Sequence, residues 1–182
     1  MDDTFDACLE FTLAEEGGFI DHPSDPRFAT NHGITLLRLR RFLRDPGLGQ
    51  DEIRHVPCAT VQALYLADFW NRTRCDALPV GLDLMVFDHA VNAGPDRAGR
   101  ALQLAVGIRR DGIDGAVGPD TIGRVALADN VTLLDALAAM QRTGYRQMAA
   151  FSLFGESWLA RLDRRRARAL ELITEAEQVS RR

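Results

Sequence analysis

The sequence predicts a mainly α-helical fold, and three observations carry that reading. Apolar residues recur three and four apart in segment after segment, which is the spacing of one helix face. One run, Leu84 to Ala93, is nearly all apolar, as suits a helix in the middle of a bundle. Between the periodic segments stand breaks such as Gly17-Gly18, Asp45-Pro46-Gly47 and Gly94-Pro95, residues that stop helices. The 182 residues are 46% hydrophobic and 26% charged, enough for one domain, or a domain with a small appendage, around a real core.

Taken in order, Phe5, Cys8, Leu9, Thr12 and Leu13 place a first helix that Asp3 or Thr4 caps and that ends at Glu16. A polar loop runs from there to Gly33. Thr35 then caps a helix with Leu36, Leu39, Phe42 and Leu43 on its apolar side. Its Arg38, Arg40, Arg41 and Arg44 are expected in solvent, with Arg38 or Arg41 reaching a peptide carboxylate as the alternative. A helix from about Ala59 to Asn71 carries Val61, Leu64, Tyr65 and Trp70. In the apolar run that follows, Asp88, His89 and Asn92 must find partners or face a cleft. His89 reads as a packing or hydrogen-bonding residue and not a catalytic base. A short helix spans Arg97 to Val106, and Pro119 suits the first turn of the next. Thr132 is expected to cap a long helix in which Gly144 is a flaw, and Gly155 to open the last one. There Arg161, Arg164, Arg165, Arg166 and Arg168 are expected to form a solvated face, with a wall or membrane-surface contact as the alternative.

The chemistry concentrates between Leu13 and Thr35. Glu16 stands at a helix C-terminus, where the partial negative charge of the helix disfavours an ionised carboxylate. An acid that keeps its proton is what a leaving glycosidic oxygen needs. Gly17-Gly18 ends the helix and leaves space beside the acid. Asp25, in the loop, suits steadying a cationic sugar transition state or, with Thr30, holding the attacking water. The plainer reading of the same residues is a helix ending followed by ordinary turns.

Composition excludes several alternatives. A net charge of −4 gives no bulk attraction to nucleic acid. Three scattered cysteines, Cys8, Cys58 and Cys75, do not form a disulfide framework, and the scattered histidines offer no metal-ligand spacing. No cofactor is expected. No apolar run is long enough for a transmembrane segment. Met-Asp-Asp-Thr-Phe-Asp lacks the regions of a signal peptide, so synthesis in the cytoplasm is expected.

Glu16-Gly-Gly-Phe, the following Asp-Pro, and Ala29-Thr-Asn-His-Gly-Ile-Thr35 together resemble the N-terminal signature of the glycoside hydrolase family 108 lysozymes. Val86 to Pro95 resembles that family's second signature. These are N-acetylmuramidases, and phage endolysins and secretion-assisting muramidases are among them. The resemblance implies a lysozyme-like helical domain and identifies Glu16 as the catalytic acid. Similarity to the Glu-Asp-Thr trio of phage T4-type lysozymes implies Asp25 and Thr30 as its partners. Arg27-Phe28 stands where the family usually has two glycines. Phe19, His32, Asn92 and Trp70 are the expected substrate-binding residues. Asn92 either hydrogen-bonds an N-acetyl group or sugar hydroxyl, or caps the Gly94-Pro95 break. Trp70 either packs in the core or lines a sugar subsite. Asp111 to Thr121 resembles an element of peptidoglycan-binding modules, and a structural clip between two helices fits it as well. The expected division is residues 1–95 as the lysozyme-like region and 96–182 as a peptidoglycan-binding-like region packed against it. The implied substrate is bacterial peptidoglycan, cut by a monomer that reaches the wall through a holin, a secretion machinery or lysis. The competing function is a non-catalytic wall-binding or secretion-assembly factor on the same scaffold.

Overall fold

The computed structural model describes residues 3–20 and 29–181, and helices dominate them. In chain order these are α1 (Asp3–Glu16), α2 (Leu36–Leu43), α3 (Gln50–Arg54), α4 (Cys58–Tyr65), α5 (Leu82–Ala93), α6 (Pro95–Ala105), α7 (Pro119–Leu127), α8 (Asn130–Arg146) and α9 (Phe151–Ser180). The expected loop after α1 contains more than a loop. Strands β1 (Thr30–Asn31) and β2 (Ile34–Thr35) pair antiparallel across it, Thr30 opposite Thr35. Such strands are too short to leave an alternating pattern in the sequence. By packing, the chain forms two units: Leu9–Asp68, and Met1–Cys8 with Phe69–Arg182.

The larger unit is built around α5, which contacts α6, α8 and α9. Leu82, Leu84, Met85, Val86, Phe87 and Ala90 are all buried, each large side chain contributing about 1.5–3 kcal/mol by leaving water. Phe5, Trp70 and Phe87 meet edge to face at 5.1, 5.5 and 5.8 Å between ring centroids, an arrangement their quadrupoles favour. Trp70 is 2% exposed in that cluster, so it is a core residue and offers no ring face to a sugar.

Asp88 finds its partner on α9. Arg161 donates to both of its oxygens, at 3.0 and 2.6 Å, and Arg165 donates to Oδ2 at 2.8 Å. The second arm of Arg165 reaches Gln141 Oε1 at 2.7 Å, and Gln141 donates to the Met85 carbonyl at 2.9 Å. The basic run of α9 is therefore not wholly a solvated face: Arg161 and Arg165 point inward, while Arg166 pairs with Asp135 in the open. The reason is helical periodicity. Residues 161 and 165 are one turn apart and share the buried stripe with Leu162, Ala169 and Leu172.

Several boundaries move from their expected places: the helix expected to reach Asn71 keeps α geometry only to Tyr65 and passes into a π turn over Leu66–Trp70, and α6 starts at Pro95. The cap of α8 is Asp129, whose side chain accepts from the Thr132 N–H at 2.9 Å, and α9 begins at Phe151, before Gly155. Between α6 and α7, Gln103 clips the glycine-rich loop. It donates to Asp114 Oδ1 at 2.7 Å and the Ala116 carbonyl at 3.0 Å, and accepts from the Gly115 N–H at 2.8 Å. A Cβ on Gly99 would lie 2.7 Å from the Gly115 carbonyl carbon, so the loop seats on α6 only over a glycine. Gln103 thus ties this loop to α6, as a clip would.

Candidate active site

In the smaller unit, α1 ends at Glu16 because Gly17 turns left-handed, with φ +73°. Among the described residues nothing lies within 4 Å of where a Cβ would stand on Gly17 or Gly18, so these residues leave open space next to the acid. Ile20 then bridges to Thr30, exchanging backbone hydrogen bonds of 2.8 and 3.0 Å. The turn of the hairpin is His32-Gly33, with φ +50° and +70°, the two positive angles of a type I′ turn.

Glu16 lies over this turn. A Cβ added to Gly33 would stand 2.8 Å from both Cγ and Cδ of Glu16, so the acid occupies the volume a side chain would take. Three contacts hold the turn there. Tyr65 donates from its hydroxyl to the His32 carbonyl at 2.7 Å. Asn31, nearly buried, donates to the carbonyls of Ile53 and Arg54 at 3.1 and 3.0 Å, taking up acceptors that the end of α3 leaves open. Thr35 caps α2, accepting from the Arg38 N–H at 3.1 Å, as expected. Arg38 in turn donates to Asp68 at 2.8 Å instead of standing free in solvent. The Arg54 guanidinium lies 4.1 Å from the Phe19 ring centroid, a cation–π contact that uses one face of that ring.

The profile of glycosyl hydrolase 108 matches residues 9–94, from within α1 to the end of α5. SagA of Brucella abortus is 31% identical, and the match covers 94% of this chain and 97% of that one with a TM-score of 0.81. The chain belongs to the glycosyl hydrolase 108 family. It is a glycoside hydrolase with the mainly helical, lysozyme-like fold of a peptidoglycan-acting protein. No curated protein matches it.

Within this family member, the expected site residues separate into groups. Glu16, Phe19, Thr30 and His32 all belong to the smaller unit, around the hairpin, and all are partly exposed. Asp25, with Arg27-Phe28, lies outside the described residues. Asn92 and Trp70 belong to the larger unit; Asn92 is half-buried in the last turn of α5. Residues that the sequence reading passed over hold the acid in place: Gly33, Asn31 and Tyr65. The signal for the first is present in Asn31-His32-Gly33, whose turn chemistry the structure uses as the turn of a hairpin. Tyr65 lies 33 residues from its partner, and no local pattern announces it. Among the described residues no cluster of side chains could hold a metal ion, and no helix is long and apolar enough to cross a membrane.

Proposed function

We propose that this protein is an N-acetylmuramidase that hydrolyses the β-1,4 bond between N-acetylmuramic acid and N-acetylglucosamine. Glu16, as the general acid, gives a proton to the glycosidic oxygen as the bond to the anomeric carbon breaks. Water adds to that carbon, positioned by Thr30 and Asp25, and Asp25 takes the water's proton. A water placed between acid and base attacks the face opposite the leaving group, so the anomeric configuration inverts. Phe19, His32 and Asn92 are the proposed sugar contacts. Residues 1–95 do the chemistry and 96–182 hold the wall.

One observation carries this reading: the Glu16 side chain lies against the one turn residue that has no Cβ, beside two further glycines that leave room for a substrate. An acid serving only as a helix ending needs no such clearance. The test is loss of turbidity of purified sacculi. The wild type is expected to clear them and Glu16→Gln to leave them intact. Binding without clearing by the wild type would instead select the non-catalytic wall-binding factor.

A further inference from the structure

The larger unit contains a cavity of about 600 Å³, within the range of small-ligand sites. It lies among α5, α6, α8 and the turn after α8, and three features of its wall are unexplained by packing. His89 is 5% exposed and its Nδ1 is buried with no hydrogen-bond partner among the described residues. Burial, then the nearby Arg165 charge, pushes its pKa down to about 3, so the ring is neutral and presents one donor and one acceptor. Gly144, inside α8, has nothing within 4 Å of where its Cβ would stand. A helical glycine costs up to about 1 kcal/mol relative to alanine, yet no side chain among the described residues uses the space it leaves. Arg97, exposed on α6, donates only weakly to the Ala93 carbonyl at 3.3 Å, and no carboxylate pairs with it among the described residues. Its neighbour Arg100 is committed to Asp96 and to the carbonyls of Ile113 and Asp114.

The rest of the wall is mainly apolar, with Met140, Met148 and Leu104 prominent beside Tyr145 and Gln147, while Gln141 is committed to Met85 and Arg165. A sugar would set most of its hydroxyls against that surface without partners. A plain acyl chain would leave His89 as it is, a buried polar atom unpaired. We propose that the cavity binds a short peptide with small apolar side chains and a free carboxylate. The carboxylate pairs with Arg97, a backbone amide meets His89, and the side chains rest on the methionines. Stem peptides of the wall and free peptides share this chemistry; assigning the source to the wall rests on the function proposed above.

The test is NMR titration of the full chain with N-acetyl-D-alanyl-D-alanine, following the His89 ring signals. A saturable shift is expected, weakened about tenfold by Arg97→Gln, as for loss of one charge-assisted contact. Gly144→Leu fills the cavity and should abolish the shift while the thermal midpoint stays level or rises, which also shows that the variant folds. A preference over the L,L peptide supports the wall as source, and equal binding overturns it. The proposal itself is overturned by no saturable shift up to about 10 mM, by a shift that survives Gly144→Leu, or by octanoate giving the same shift. The titration involves neither glycan nor turnover, so its failure leaves Glu16 chemistry standing, and the reverse holds too.

Discussion

Gly33 has no side chain, and the Glu16 carboxyl lies where one would be. Gly33→Ala therefore does two things. It places a Cβ at φ +70°, which costs about 1 kcal/mol, and it pushes the flexible Glu16 side chain off the turn. Activity should fall more than stability: at least tenfold in hydrolysis of sacculi, against a small shift in urea midpoint, because misplacing a catalytic group by about an ångström is enough. Glu16→Gln keeps the shape and removes the proton. Its rate should fall by about 10²–10⁴, the usual worth of a general acid, with the thermal midpoint unchanged. A Glu16→Gln enzyme that clears sacculi at the wild-type rate would remove the acid from the account. At this scale the sequence was informative where helical spacing and a break coincide, as at the end of α1 at Glu16. It was silent where the role depends on a missing atom, as at Gly33, and left two readings open where burial decides, as at Trp70.

The hairpin is the element that turns a helix ending into a site. Its two strands are two residues each, too little to be stable alone, so side chains from α4 and from the hairpin itself hold it. Tyr65→Phe removes the hydroxyl that reaches the His32 carbonyl. It should cost about 1 kcal/mol, speed amide exchange in the turn and lower activity severalfold, with the helical circular dichroism unchanged. Unaltered turn exchange would show that the contact does not position the hairpin. Helices were legible because each repeats its apolar stripe over two or more turns, and Thr35 announced its cap in type and place. The hairpin was not, because a bridge between Ile20 and Thr30 and a hydroxyl 33 residues away leave no periodic trace. The arginines of α9 misled for a related reason. Their charge suggests solvent, and only the stripe they share with Leu162 and Ala169 puts Arg161 and Arg165 inside.

Across the larger unit, buried charge sets the response to acid. The Arg165 and Arg161 guanidiniums outweigh burial and hold Asp88 below the usual carboxylate range. It stabilises the fold above that range and loses the contribution as pH falls below it. His89, held down to about 3 from 6.5, contributes fully above 6.5 and progressively less as pH falls toward 3. Asp83 runs the other way: burial outweighs its bonds to the Leu84 and Gly81 N–H groups and raises it from 3.8 to about 6. Its contribution is present below 3.8 and lost as pH rises through 6. Between those values the His89 and Asp83 slopes, each about 1.4 kcal/mol per pH unit, oppose one another. Stability should be level from about pH 6 to pH 4 and fall steeply below, with Asp83→Asn moving the onset of the fall up to about 6.5. A wild type that loses stability steadily from pH 6 would show that the two terms do not balance. Asp88→Asn, which removes the carboxylate charge that the inward-facing Arg161 and Arg165 share, should cost about 3–5 kcal/mol in urea unfolding. All of these concern whether the chain stands; what it does is read most directly from its products. Mass spectrometry of muropeptides released from sacculi should find reducing-end N-acetylmuramic acid with the wild type and none with Glu16→Gln. Anhydro ends, free stem peptides, or wild-type product from Glu16→Gln would contradict it.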